Sequence, residues 1–158
     1  MKILVTGAAG FIASGLVHKL AQQEHEVHAM VRNVNKAQHL QHPNVKLFNG
    51  DINDVDSIQT AVKDCNQVYH IAAYARMWAK DRNEFFKVNL EGTKNMLNAA
   101  AQNGVSKFVF TSSTGVLGAT PGKVMTEADP RTTEFDNDYE YSKHLAEEEV
   151  RSFAANGL

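Results

Sequence analysis

The first twenty residues confine the chain to a narrow set of folds. Ile3–Val5 is a short apolar, β-branched run. A glycine-bearing turn, Gly7–Gly10, follows at once, and behind it Ile12, Leu16 and Leu20 recur four apart, the spacing of one helical face. A strand that passes directly into a helix returns to its sheet by a crossover, and crossovers leave neighbouring strands parallel. The alternation continues to the end of the sequence. Val27–Val31 reads as a strand, Lys36–Leu40 as a short polar helix, Val45–Phe48 as a strand, Asp54–Lys63 as a helix and Val68–Ile71 as a strand. Asn83–Gln102 is a long helix, with Phe86, Leu90, Thr93, Leu97 and Ala100 on one face and Asn103-Gly104 as its stop. Val105–Thr111 is the fifth strand, Thr114–Asp136 a long connection rich in Gly, Pro, Thr and Asp, and Asp138–Ala155 the last helix. The pattern predicts one α/β domain, a doubly wound parallel sheet of strand order 3-2-1-4-5.

Composition removes other classes. With 158 residues, 43% hydrophobic and 22% charged, the chain is long enough for one core and too apolar to be disordered. A net charge of −2 without a basic run gives no footprint for nucleic acid or an anionic membrane surface. No apolar stretch approaches the roughly 18 residues of a membrane span. One cysteine, Cys65, excludes an internal disulfide and suits a reducing compartment, so a soluble cytoplasmic protein is expected. His39 and His42 stand three apart with no cysteine or carboxylate cluster beside them, and no metal site is expected. The last helix stops where an alternating fold would start its next strand, leaving strand five an uncovered apolar edge. The chain is therefore expected to be an N-terminal portion of a longer protein.

Thr6-Gly7-Ala8-Ala9-Gly10-Phe11-Ile12-Ala13 joins the first strand to the first helix. Gly7 permits the tight turn, Gly10 lets the backbone approach a pyrophosphate, and Ala13 allows close helix–strand packing. The helix N-terminus carrying Phe11 and Ile12 faces the phosphates, which is the Rossmann-like dinucleotide pattern with one extra residue before the second glycine. Arg32 follows the second strand, 25 residues past Gly7. An acidic residue at this point of such a fold binds a ribose 2′-hydroxyl, whereas an arginine accommodates a 2′-phosphate, so NADP is the expected cofactor and NAD the alternative. Lys36 could assist. In Gly50-Asp51-Ile52, Asp51 could accept from an adenine amino group while Ile52 packs on the ring; Asp51 could equally cap the next helix. Tyr139 and Lys143 stand four apart on the last helix and share a face. A free tyrosine, with a pKa of about 10, is a poor proton donor or acceptor at neutral pH, and a nearby ammonium favours its phenolate. Ser112-Ser113, at the end of strand five, supplies a hydroxyl where ligands bind in such sheets. His70 reads as a satisfied interior or cofactor-adjacent residue. Trp78 could wall a pocket or simply pack in its loop.

Thr6–Ala13, Gly50–Ile52, Val68–Ala73, Val88–Thr93, Val109–Ser113 and Tyr139–Lys143 together resemble the extended short-chain dehydrogenase/reductases, the NAD-dependent epimerase/dehydratase family. Arg32 and the stretch His70–Trp78 look most like its dihydroflavonol-reductase-like members. The resemblance implies that Tyr139 is the proton donor and acceptor, that Lys143 binds the nicotinamide ribose and tunes Tyr139, and that Ser113 holds the substrate oxygen. It also implies that Ala72 and Ala73 lie along the cofactor and that Asn89 supports the site. Family members run to about twice this length, so the C-terminal strands and substrate lobe would be lacking. These 158 residues alone should then bind cofactor without turning over substrate. The implied activity is hydride transfer between a nicotinamide and a carbonyl or hydroxyl carbon of a small organic substrate. The alternatives are a nucleotide-sugar epimerase or dehydratase that retains NAD, and a non-catalytic dinucleotide-binding module. Leu117 stands where sugar-nucleotide epimerases often carry a tyrosine, which tilts against the former. Members commonly form homodimers through the long helix and the last helix.

Overall fold

Five parallel strands form the centre of the molecule: β1 (Lys2–Thr6), β2 (Glu26–Val31), β3 (Val45–Asn49), β4 (Gln67–His70) and β5 (Lys107–Phe110). Their order is β3-β2-β1-β4-β5, as the alternation predicts. The computed structural model describes residues 1–76 and 78–158; Met77, within the His70–Trp78 stretch, lies outside the described residues. Helices α1 (Phe11–Gln22), α2 (Val55–Val62), the short α3 (Asn83–Phe85), α4 (Gly92–Gln102) and α5 (Asp138–Ala155) complete the framework.

The central strands of the sheet are buried on both faces, which explains the near-continuous apolar run of β1, while β3 and β5 are only half-buried. Ile3 and Val5 of β1 join Ala13 and Val17 of α1 in one core, while Leu4 between them joins Ile58 and Val62 of α2 and Met96 and Ala100 of α4 in the other. Local signals set the helix ends. The Asn137 side chain accepts from the Glu140 N–H at 2.9 Å and caps α5, whose first turn carries Asp138 and Glu140 against the helix dipole. Asp54 caps α2, so the helix-cap alternative for Asp51 is overturned. Asp51 instead closes an Asx turn, accepting from the Asn53 N–H at 2.9 Å.

Three expectations are corrected by packing. Ile12 does not share the buried face of α1. That face is Ala13, Val17, Leu20 and Ala21, and Ile12 is 64% exposed because the first turn of α1 projects beyond the strand ends. The polar segment after β2 is not one helix but two 3₁₀ turns, Val34–Lys36 and Gln38–Leu40. The helical run Asn83–Gln102 is continuous, but its Phe86–Glu91 segment is π-helical. A π turn takes up an extra residue, so Phe85 and Asn89, rather than Phe86 and Leu90, face inward ahead of Thr93, Met96 and Leu97. Among the described residues, no helix is long and apolar enough to cross a membrane.

Candidate active site

The sheet lays the candidate residues out in sequence along its carboxyl edge: Asp51 past β3, Arg32 past β2, the glycine turn past β1, Ala72 and Ala73 past β4, and Ser113 past β5. Four strand spacings put the two ends of this row about 19 Å apart.

The glycine turn meets its geometric requirements. Gly7 has φ +63°, and a Cβ there would stand 2.9 Å from Ala72 Cα, so only glycine allows the turn to lie against the end of β4. Gly10 is the extended N-cap residue of α1 and contributes no capping side chain. The first-turn N–H groups of α1 are thus clear of a side-chain cap, and no acidic residue occupies that turn. Phe11, 98% exposed, and Ile12 flank this N-terminus with apolar surface. These features fit a dinucleotide pyrophosphate. Arg32 is exposed just after β2, as is Lys36. Asp51 is half-buried and its carboxylate is engaged by Asn53. Ile52 lies in the core, packed against Gly92, and has little surface left for a ring. Ala72 is half-buried and Ala73 exposed.

At the other end of the row, α5 brings Lys143 to the end of β5, and Tyr139, one helical turn earlier, is half-buried. Lys143 is 2% exposed, its Nζ donating to the Thr111 carbonyl at 2.7 Å and lying 3.9 Å from the Phe110 ring centroid. Burial pulls its pKa down to about 8, against the opposing pull of Glu147. Glu147 accepts from Ser112 Oγ at 2.5 Å, so the Ser112 hydroxyl is committed to a carboxylate while that of Ser113 is not. Although burial opposes it, the hydrogen bonds from Ser112 and Arg151 hold the Glu147 carboxyl below its ordinary value. Ser113 accepts from the Gly115 N–H at 3.2 Å and starts the 3₁₀ turn Thr114–Val116.

Arg131, absent from the sequence reading, fastens that turn to α5. Arg131 donates to the carbonyls of Gly115, Thr133 and Glu134 and to Glu140 Oε2 at 3.1 Å, with its guanidinium 4.1 Å from the Phe135 ring centroid. Both members of the Arg131–Glu140 pair are largely buried. Arg82, also absent from that reading, pairs with Asp138 of α5 at 2.6 Å, but it is solvent-exposed and ties the segment before α3, not the turn. Nothing in a lone arginine within a polar loop signals such a clamp. Asn89 supports the site as the resemblance implies: Oδ1 accepts from the Tyr74 N–H at 2.7 Å and Nδ2 donates to Ser142 Oγ at 2.9 Å. Thr93 and Ser142 were also missed, though a threonine on an otherwise apolar helix face is a signal, since a buried hydroxyl needs a partner.

Other candidates resolve simply. Tyr141 packs on Phe86 and Phe135. Cys65 is buried and its thiol is pushed up to about 12, which leaves it inert. Trp78 is 74% exposed, so it does not pack within its loop. Among the described residues, no three metal-ligating side chains cluster.

A parallel sheet of order 3-2-1-4-5, a glycine turn at its central strand and a Tyr-x-x-x-Lys helix beside its outer strand define an α/β protein of the Rossmann type. The chain belongs to the NAD-dependent epimerase/dehydratase family, which it matches over residues 3–158. It is 34% identical over 158 residues to a 3-beta-hydroxysteroid dehydrogenase of Mycolicibacterium neoaurum, covering 94% of this chain and 42% of the relative. It is 36% identical over 125 residues to a dihydroflavonol 4-reductase of Gerbera hybrida, covering 73% of this chain and 34% of the relative. The structure of UDP-glucose 4-epimerase from Thermus thermophilus in complex with NAD superposes with a TM-score of 0.87 at 30% identity, over 99% of this chain and 52% of that one. The chain spans less than half the length of the curated relatives it matches.

Proposed function

We propose that the chain is the cofactor-binding portion of an NAD(P)-dependent oxidoreductase that moves hydride between a nicotinamide and a carbonyl or hydroxyl carbon of a small organic substrate. The observation that carries this reading is the buried Lys143, one helical turn from Tyr139 and held on the carbonyl of Thr111, two residues before Ser113. Keeping an ammonium in so dry a place costs stability, and such costs concentrate at functional sites.

The cofactor, when bound, supplies the hydride chemistry. The protein's residues do the rest. Gly7, Gly10, Phe11 and Ile12 receive the pyrophosphate, Arg32 the 2′-phosphate of NADP, Asp51 the adenine, and Ala72 and Ala73 the stretch between. Lys143 donates to the nicotinamide ribose and favours the phenolate of Tyr139. Ser113 Oγ donates to the substrate oxygen, and Tyr139 exchanges the proton with that oxygen as the carbonyl is reduced. An epimerase or dehydratase that keeps its NAD would share Tyr139 and Lys143; net cofactor consumption separates the two, and Leu117 favours the reductase.

The test is NAD(P)H oxidation by the full-length protein with a panel of ketones. Tyr139→Phe should lower turnover by at least about a hundredfold, the ordinary size of a lost general acid, while leaving cofactor affinity within about threefold. Undiminished turnover in that variant would refute the reading.

A further inference from the structure

His70 closes β4, 1% exposed, between two threonines. Its Nδ1 lies 2.8 Å from Thr6 Oγ1 and its Nε2 3.1 Å from Thr93 Oγ1. The direction of each bond follows from the available lone pairs. Thr6 Oγ1 accepts from the Ile71 and Ala72 N–H groups, each at 3.1 Å, so its lone pairs are filled and its O–H donates to Nδ1. The ring proton is therefore on Nε2 and is donated to Thr93, whose own O–H donates to the Asn89 carbonyl at 2.6 Å. Asn89 passes the link on to Ser142 at 2.9 Å, and Ser142 Oγ donates to the Tyr139 carbonyl, also at 2.9 Å. Directed hydrogen bonds thus link the residue before Gly7 through His70 and Thr93 to the Asn89 backbone, and the Asn89 side chain in turn reaches Ser142 and the Tyr139 backbone.

An imidazolium does not fit this chain, because its Nδ1–H would find no acceptor. The groups around the ring are Thr6 from β1, Thr93 from α4 and the Phe108 and Phe110 rings from β5, both with centroids at 6.0 Å. Burial first, and the Lys143 ammonium of α5 second, hold its pKa down to about 3.

We propose that His70 is a positioning residue of this site: as a neutral imidazole protonated on Nε2, it ties the strand end that opens the glycine turn to the helix carrying Asn89, and so sets the spacing between the dinucleotide turn and the Tyr139–Lys143 helix. The proposal deepens the dinucleotide reading and rests on it. A neutral ring also spares Lys143 a second cation in its surroundings.

The test has two arms. In nitrogen-15 NMR of the histidine rings, the His70 signals, identified by their loss in His70→Gln, should show a bare Nδ1 and a protonated Nε2, unchanged from about pH 5 to about pH 8. Formation of an imidazolium in that window, or a proton on Nδ1, would overturn the proposal. In fluorescence titrations with NADH and NADPH, His70→Gln, which keeps one acceptor and one donor, should bind within about threefold of wild type. His70→Leu, which strands both threonine hydroxyls, should bind at least about tenfold more weakly. A folded Leu variant with wild-type affinity, or a Gln variant as weak as Leu, overturns the positioning role; if Leu fails to fold, Gln and the ring tautomer decide it. Failure of the wild type to bind either dinucleotide overturns the cofactor reading and the positioning role with it, while the NMR arm still judges the link itself.

Discussion

At the scale of single residues, Lys143 shows what was and was not legible. Its i, i+4 relation to Tyr139 is visible in the sequence, but its burial is not, because that depends on the Thr111 carbonyl and the Phe110 ring arriving from β5. Burial has a pH signature. The folded-state pKa of about 8 lies below the ordinary 10.5, so between those values the unfolded chain binds more protons and stability rises with pH. Below about pH 8 the cost of the buried charge is present in full. Lys143→Met should therefore gain roughly 1–3 kcal/mol at neutral pH and lose most of the alkaline rise, as measured by urea unfolding at several pH values. Arg32 is the opposite case: its place after β2 is legible and its exposure is what any loop arginine shows, so its meaning is settled by ligand preference. A guanidinium on a dianionic phosphate is worth about 1.5–3 kcal/mol, less at an open site where salt screens it. Arg32→Asp is expected to weaken NADP binding by at least about tenfold and leave NAD equal or improved, read by calorimetric titration of both. A wild type that prefers NAD, or an unchanged ratio, would make Arg32 an ordinary surface residue.

At the scale of elements, the helix bounded by Asn83 and Gln102 was legible in extent and not in register. Apolar spacing assumes one constant turn, and the π segment breaks that assumption at Phe86–Glu91. The consequence is chemical, since the shift turns Asn89 inward to Tyr74 and Ser142. Gly92, where α4 begins, has a related reason to be glycine: a Cβ there would stand 2.6 Å from Ile52 Cδ1 and 2.7 Å from Cγ1. Gly92→Ala should gain about 1 kcal/mol of helix propensity but incur about 1–3 kcal/mol of overpacking, a net loss of stability in thermal unfolding. Ile52→Ala in the same chain should recover part of that loss, because the two sites share one contact. A Gly92→Ala variant more stable than wild type would show that Ile52 yields freely. The Arg131–Glu140 clamp was illegible for a different reason. Its partners are mostly backbone carbonyls, which carry no residue identity for a sequence to display.

At the scale of the molecule, the strand order was legible because parallel crossovers leave few ways to wind five strands. Association with a second copy is an expectation for which the helical layer offers a surface. Leu90 and Leu145 line a shallow groove rimmed by Glu148, Glu149 and Ser152, between the π segment and α5. A homodimer formed there should give twice the chain mass in light scattering, and a monomer at high concentration would count against it. The sheet order also has a consequence for how the protein is made. The central strand is the earliest one, and its register partners lie 24 residues on in β2 and 64 residues on in β4. Closing the longer loop adds only about 0.9 kcal/mol of entropy over the shorter one, so the final fold hardly feels the difference. A ribosome does. At about 5–20 residues per second, roughly 3–13 s separate the synthesis of β1 from that of its second neighbour. Through that interval the central strand has at least one edge without its partner.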